Sequence, residues 1–166
     1  MPADTERTPM PDTYLQAACL GVVAGMRSMG APALVSDHLA RSQSPSQGRS
    51  PLRWLGTTRA ATITKFLAGG EIVGDKLPMA PSRIAPAPLV ARMVSGGLCG
   101  AALCLHDGKR GDVGAALGVA GALAGAFGFY HLRRTLGQKL PIPDPVLGAA
   151  EDVLAFGGGW AVLREG

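Results

Sequence analysis

Charged residues that interrupt apolar stretches are the first candidates for chemistry in this sequence. Arg27 lies in the middle of an apolar segment over residues 13–36, Glu71 lies within a second segment, and Arg92 lies near the start of a third. A charge at mid-bilayer costs about 2.5–3.5 kcal/mol on insertion scales, so each of these residues is expected to face a partner or water. The acids available to Arg27 are Glu71, Asp75, Glu151 and Asp152.

The spacing of these acids limits how they can act together. Glu71 and Asp75 are four residues apart and share one face of a helix. Glu151 and Asp152 are adjacent and point about 100° apart, so only one of them is expected to face a given partner. Two interpretations stay open: a buried ion-pair network that fixes the packing of helices, or a polar path or binding site for an ion or small solute.

Catalysis and metal binding are not expected. No nucleophile–base pair and no metal-ligand spacing accompany the carboxylates. Cys19, Cys99 and Cys104 all lie inside apolar runs and form no Cys-x-x-Cys pair, which is typical of small buried hydrophobic residues. The sequence therefore predicts a protein that is not an enzyme and has no cofactor or metal.

The elements that must position the charges are apolar segments of membrane-spanning length. Residues 113–130 form an eighteen-residue run without a charge, and most of its residues are Gly or Ala. Crossing a bilayer requires about 20 apolar residues in a helix. A glycine-rich run stays helical in lipid because its backbone groups have no other partner there. This run predicts a transmembrane helix with a thin, close-packing surface.

The remaining segments complete a predicted all-α, multi-pass transmembrane helical bundle. Full spans are predicted over residues 13–36, 89–105, 113–132 and 146–163, which makes four. Residues 59–78 are shorter and carry charge, so they form a full span, a re-entrant half-helix or an interfacial helix. Residues 1–12 are predicted to be a disordered tail, and residues 13–165 a single membrane-embedded domain with a polar loop at about 37–58.

Glycines spaced four residues apart occur in most of these segments. Small residues at this spacing let helix backbones approach closely, which favours helix association in lipid. Packing within the chain is the first interpretation, and pairing between copies of the chain is the alternative. The pairs are Gly21 and Gly25, Gly70 and Gly74, Gly96 and Gly100, Gly114 and Gly118, and Gly121 and Gly125.

Composition agrees with a membrane protein. Charged residues make up 17% of the chain, below the roughly 25% of soluble domains. The net charge of +4 comes from single Lys and Arg residues without a basic, aromatic face, so the expected partner is the lipid bilayer and not nucleic acid. If residues 59–78 do not cross, the two sides hold 4 and 10 Lys and Arg residues, which places both termini outside the cytoplasm.

Three stretches resemble a known family: GVVAGMRSMGAPALVS, GGEIVGDKLPMAPSRIAPAPLVARMVSGGLCGA and AAEDVLAF. They are similar to domain-of-unknown-function family 4126, a bacterial family of small, glycine-rich membrane proteins. The resemblance implies an integral, multi-pass protein of the inner membrane and supplies no mechanism. The charged residues that match its motifs form the predicted polar network: Arg27, Glu71, Asp75, Lys76, Arg83, Arg92, Glu151 and Asp152.

Two functions from different classes follow. In the first, the bundle is a small transporter or channel-like protein for an ion or small solute, which uses the intramembrane carboxylates and Arg27. In the second, it is a non-enzymatic structural or assembly protein of the membrane whose buried charges only fix helix packing. A soluble domain rich in Gly and Ala is the third possibility.

Overall fold

The fold is known from a computed structural model. It describes residues 12–42, 52–74, 85–139 and 144–164. The predicted tail, apart from Asp12, lies outside the described residues, as do Asp75, Lys76 and Arg83.

Within these ranges every element of secondary structure is a helix. A short 3-10 helix, Arg53–Gly56, precedes the third α-helix. The six α-helices are α1 Thr13–Met26, α2 Gly30–Arg41, α3 Thr58–Gly74, α4 Pro86–His106, α5 Gly111–Lys139 and α6 Asp144–Arg164.

The segment predicted as the first full span is two helices and not one. α1 ends at Met26, Arg27 is extended, and α2 begins at Gly30. Pro32 explains the break, because a continuous helix would require its missing N–H to bond the carbonyl of Ser28. In the observed structure Pro32 lies in the first turn of α2, where a backbone N–H has no acceptor within the helix.

α2 runs back alongside α1, so the two form a helical hairpin. Gln16 in the first turn of α1 and Ser42 just beyond α2 line the same small cavity. The helices have 14 and 12 residues, or lengths of about 21 and 18 Å. Each is shorter than the roughly 30 Å of a bilayer's hydrocarbon core. α2 also extends to Arg41, into the region predicted as a polar loop.

α3 lies antiparallel to α2. Near its carboxyl end, the Glu71 side chain reaches the backbone N–H of Met29 at the start of α2. Closer to its amino end, Lys65 Nζ lies 2.5 Å from Asp37 Oδ1 on α2. α3 therefore begins at the end of the bundle that holds Ser42 and finishes beside the α1–α2 turn.

α4 is antiparallel to α1 along its whole length. Near the start of α4, Arg92 reaches the Gly25 carbonyl at the end of α1. Just after α4, Asp107 accepts a hydrogen bond of 2.8 Å from Thr13 Oγ1. Gly108 then adopts a φ of +68°, a conformation that glycine adopts without strain, and α5 begins three residues later.

α5 and α6 complete an up-and-down arrangement. α5 runs parallel to α1, and α6 returns so that the carbonyl of Val162 accepts a 2.9 Å hydrogen bond from Gln16 Nε2. The ends of α2, α4 and α6 therefore lie at the same end of the bundle as the start of α1. α5 is longer than the predicted span over residues 113–132, since the helix continues to Lys139.

The close contacts of α5 with α1 and α4 occur at glycines. A Cβ added to Gly118 would lie closer than 3.0 Å to the backbone of α4, and one added to Gly121 would clash with the backbone of α1. The matching glycines of α1 and α4 are equally confined, whereas Gly70 and Gly74 of α3 meet nothing within 4 Å. The small side chains thus set the distance between the three central helices.

Three of the described helices, α4, α5 and α6, are long and apolar enough to cross a membrane. In α6 only 22% of the apolar window is buried inside the protein. Large apolar side chains of the helices point outward, among them Val153 of α6 and Phe66 of α3. An exposed apolar surface of this kind suggests a membrane protein.

Candidate functional site

Four of the predicted charged residues that the structure describes, Arg27, Glu71, Arg92 and Asp152, lie around the turn between α1 and α2. Glu71 reaches this turn from α3. Its Oε1 accepts 2.8 Å hydrogen bonds from both the backbone N–H and the hydroxyl of Ser28, and its Oε2 accepts one of 2.8 Å from the N–H of Met29. No side chain of α2 itself caps this helix start. Glu71 therefore caps α2 from another helix, and its charge is stabilised by the positive end of the helix dipole.

Arg27 forms an ion pair with Asp152. Its Nε and one terminal guanidinium nitrogen both lie 2.6 Å from Asp152 Oδ1. The Arg27 side chain is only 4% exposed and that of Asp152 is 19% exposed. Because the pair joins the α1–α2 turn to the first part of α6, it links segments 125 residues apart in sequence. Charge-assisted hydrogen bonds of this length are among the stronger ones in proteins.

Two residues of α4 contact the backbone on either side of Arg27. Arg92 Nη1 donates a 2.9 Å hydrogen bond to the carbonyl of Gly25, which belongs to the last turn of α1. A cation at this position is favourable because the carbonyl end of a helix carries partial negative charge. The hydroxyl of Ser95 donates to the carbonyl of Ser28, the group that Pro32 leaves without a helical partner.

Glu151 faces away from this cluster. Its Oε2 lies 3.6 Å from Arg133 Nη1 on α5, while the neighbouring Asp152 faces Arg27. The two adjacent acids thus contact different basic residues, as their angular separation on a helix predicts.

The structure brings together Arg27, Glu71, Arg92 and Asp152. Glu151 instead contacts Arg133. Asp75, Lys76 and Arg83 lie outside the described residues. Sequence patterns did not single out Ser28, Ser95 and Arg133, which complete the contacts. The signal for Ser28 was available: the residues between Gly25 and Pro32 combine a charge, a hydroxyl and a second glycine, which is typical of a helix break.

The contacts described above leave the Glu71 and Asp152 carboxylates few oxygen positions at which a ligand could bind. Glu71 accepts three hydrogen bonds, and Asp152 contacts two nitrogens of one guanidinium. Within the described ranges, no three His, Cys, Asp or Glu side chains are grouped so that they could hold a metal ion. The geometry supports two roles for these side chains inside the helical bundle: they cap backbone groups at helix ends, and they neutralise one another's charge.

The chain matches the model of a known family. The model of the family named Domain of unknown function (DUF4126) matches residues 14–164. The chain belongs to this family. Comparisons with curated proteins and with solved structures find no match.

One cavity of this DUF4126 chain lies at the end of the bundle, and another reaches the α1–α2 turn at Met29. A polar cavity of about 180 Å³ at the end of the bundle is lined by residues that include Gln16, His38, His106 and Asp107. An apolar crevice of about 570 Å³ lies between α3 and α4, with Met29 of the α1–α2 turn and Pro32 of α2 among its lining residues. Neither cavity is lined by Arg27, Glu71, Glu151 or Asp152.

An ion pair at the surface of the DUF4126 chain fixes the start of α1. Lys109 Nζ, in the turn before α5, lies 2.6 Å from Asp12 Oδ1 and 5.2 Å from the centre of the Tyr14 ring. The hydrogen bond from Lys109, together with one from the Tyr14 N–H, lowers the pKa of Asp12. The same bond raises the pKa of Lys109. Both groups are exposed, so this contact orients the helix start and contributes little to stability.

Proposed function

We propose that this protein is a non-enzymatic structural or assembly protein of a membrane, in which buried charges hold a re-entrant helical hairpin in place. The hairpin is α1 and α2, and its turn is residues 27–29. The observation that carries the proposal is that the described charges around this turn bind the protein's own groups.

The position of the turn supports this role. α1 and α2 are too short to cross a bilayer, whereas α4 continues beyond Arg92 to Pro86, more than a turn past the level of Gly25. In a membrane, the turn would therefore lie below the surface. Non-helical backbone at that depth is tolerated where it lines a water-filled cavity, or where it is buried in protein and finds hydrogen-bond partners there. Glu71, Ser95 and Arg92 provide these partners, and Asp152 neutralises Arg27.

Transport of an ion or small solute is the other function expected from the sequence. It would require carboxylates that a solute can reach and that can exchange partners. Glu71 and Asp152 are engaged at 2.6–2.8 Å and line neither of the two cavities described above. The geometry therefore favours the structural role.

The test removes one partner of the ion pair. Asp152→Asn removes the carboxylate that lies 2.6 Å from the buried Arg27 guanidinium, and breaking a buried pair costs about 3–5 kcal/mol. We expect Asp152→Asn to lower the midpoint of thermal unfolding in detergent strongly, measured by circular dichroism and by loss of monodisperse protein. The matched control is Asp112→Asn, which removes an exposed ion pair with Arg110 and should leave the midpoint unchanged.

A flux assay distinguishes the two functions. Wild-type protein in liposomes should give the same proton and cation leak as protein-free liposomes. A leak that wild type adds, and that Glu71→Gln abolishes without changing the unfolding midpoint, would overturn the structural role in favour of transport. Equal midpoints for Asp152→Asn and Asp112→Asn would also contradict it.

A further inference from the structure

The crevice between α3 and α4 has an apolar wall. α3 contributes Ala60, Ile63 and Leu67, and α4 contributes Val94 and Leu98. The volume of about 570 Å³ lies within the range of cavities that bind small molecules.

The polar groups that line the crevice are already satisfied. Thr57 Oγ1 donates to the carbonyl of Trp54, Thr64 Oγ1 donates to the carbonyl of Ala60, and the Ser95 hydroxyl donates to Ser28. The middle of the crevice therefore offers no free hydroxyl to a polar solute, and an apolar chain fits it better.

One end of the crevice differs from the rest. Trp54 and Arg59 lie there, and Arg59 is the only charged residue among those that line it. Arg59 is exposed, and among the described residues it has no ion-pair partner. A tryptophan beside an unpaired arginine at the end of an apolar groove is the pattern expected at the level of lipid headgroups.

We propose that this crevice binds one anionic phospholipid, with an acyl chain along α3 and α4 and the phosphate at Arg59. The choice of occupant rests on charge complementarity: a guanidinium pairs well with phosphate oxygens, and the apolar walls match the acyl chain. The proposal depends on the membrane placement proposed above but not on the structural role of Arg27 and its partners.

Trp54 makes the binding measurable. The sequence has two tryptophans, so Trp160→Phe leaves only Trp54, which lines the crevice. Trp54→Phe leaves only Trp160, which lies beside Arg164 on an outward face of α6 and serves as a reference outside the crevice. Each variant is reconstituted into vesicles that contain brominated phosphatidylglycerol or brominated phosphatidylcholine, because bromine on an acyl chain quenches nearby tryptophan.

We expect Trp54 to be quenched with about a fivefold preference for phosphatidylglycerol, the factor that one arginine near a charged lipid provides. The Arg164 guanidinium lies 4.2 Å from the centre of the Trp160 ring, so Trp160 reports the preference that an arginine outside the crevice provides, and Arg59→Gln should leave that preference unchanged. Arg59→Gln should remove the preference at Trp54, whereas Arg53→Gln, which removes a charge from the adjacent 3-10 helix and does not line the crevice, should retain it.

A second pair of variants tests the walls independently of charge. Val94→Phe fills the crevice and should reduce quenching of Trp54 by both lipids, while Val90→Phe, one turn earlier on α4 and outside the crevice, should not. Equal quenching of Trp54 by the two lipids, or a preference unchanged in Arg59→Gln, would overturn the proposal. So would a Trp54 that neither lipid quenches, since another protein segment would then cover the crevice. Failure to reconstitute at all would instead contradict the membrane placement.

Discussion

At the scale of single residues, the spacing of the glycines predicted where helices pack closely. The spacing of the charged residues did not predict which acid pairs with Arg27. Four of the five glycine pairs lie where backbones approach, because small residues at that spacing leave one side of a helix without side chains. The acid that Arg27 contacts could not be chosen among four candidates. That choice depends on how α6 is rotated relative to a turn 125 residues away, and a single sequence does not determine this rotation.

The glycines of α5 allow a matched test at this scale. Gly118→Ala places a methyl group against the backbone of α4, which cannot move aside, and should lower stability by about 1–3 kcal/mol. Gly128→Ala lies on the same helix with nothing within 4 Å and should be neutral or slightly stabilising, because alanine is the better helix former.

The two glycine variants are compared by thermal unfolding in detergent. A midpoint for Gly118→Ala equal to that of Gly128→Ala would mean that the α4–α5 contact is looser than the structure describes.

At the scale of elements, long apolar helices were predictable and the hairpin was not. α4, α5 and α6 were placed to within a few residues, apart from the carboxyl end of α5, because about twenty consecutive apolar residues favour a helix in lipid whatever surrounds it. The break before α2 was missed because the apolar character continues through it. Residues 13–36 are apolar on average, but Pro32 has no N–H to donate to the Ser28 carbonyl. A continuous helix would need that hydrogen bond, so the helix breaks there.

Two buried serines test how the start of α2 is held. Ser95→Ala removes the donor to the Ser28 carbonyl and should cost about 1–3 kcal/mol, because a buried carbonyl is left without a partner. Ser36→Ala removes a hydroxyl that is fully buried and has no hydrogen-bond partner among the described residues, so it should be neutral or stabilising.

Chemical denaturation in detergent measures both serine variants, and only Ser95→Ala is predicted to lower the free energy of unfolding. A stable Ser95→Ala protein would show that water or a backbone shift replaces the serine, and that the α4 contact does not hold the turn.

At the scale of the whole molecule, the hairpin changes the distribution of charge. The sequence placed the basic residues after α1 on the side opposite the N terminus, whereas α2 returns them to the same end. Apart from Arg27 and Arg92 beside the α1–α2 turn and Lys65 within α3, six described Lys and Arg residues then lie at the end that holds Asp12, and three lie at the other. The six are Arg41, Arg53, Arg59, Lys109, Arg110 and Arg164, and the three are Arg133, Arg134 and Lys139.

This distribution predicts the orientation in the membrane. Because positive charge favours the cytoplasmic side, we expect both ends of the chain to face the cytoplasm, the reverse of the orientation that the sequence alone favoured. A fluorescent protein fused after Gly166 should be bright and alkaline phosphatase at the same point inactive. Phosphatase inserted between α3 and α4 should be active. The opposite pattern at both sites would contradict this orientation.

The glycine contact between α1 and α5 has a consequence for synthesis. α1 is complete at Met26, but the glycines that it packs against begin near Gly118. At about 5–20 residues per second, the ribosome needs on the order of 5–20 s to add the roughly 90 residues between them. During that time the first helix exists without its closest neighbour and is too short to cross a bilayer by itself. α1 is therefore enclosed late, only when α5 has been made.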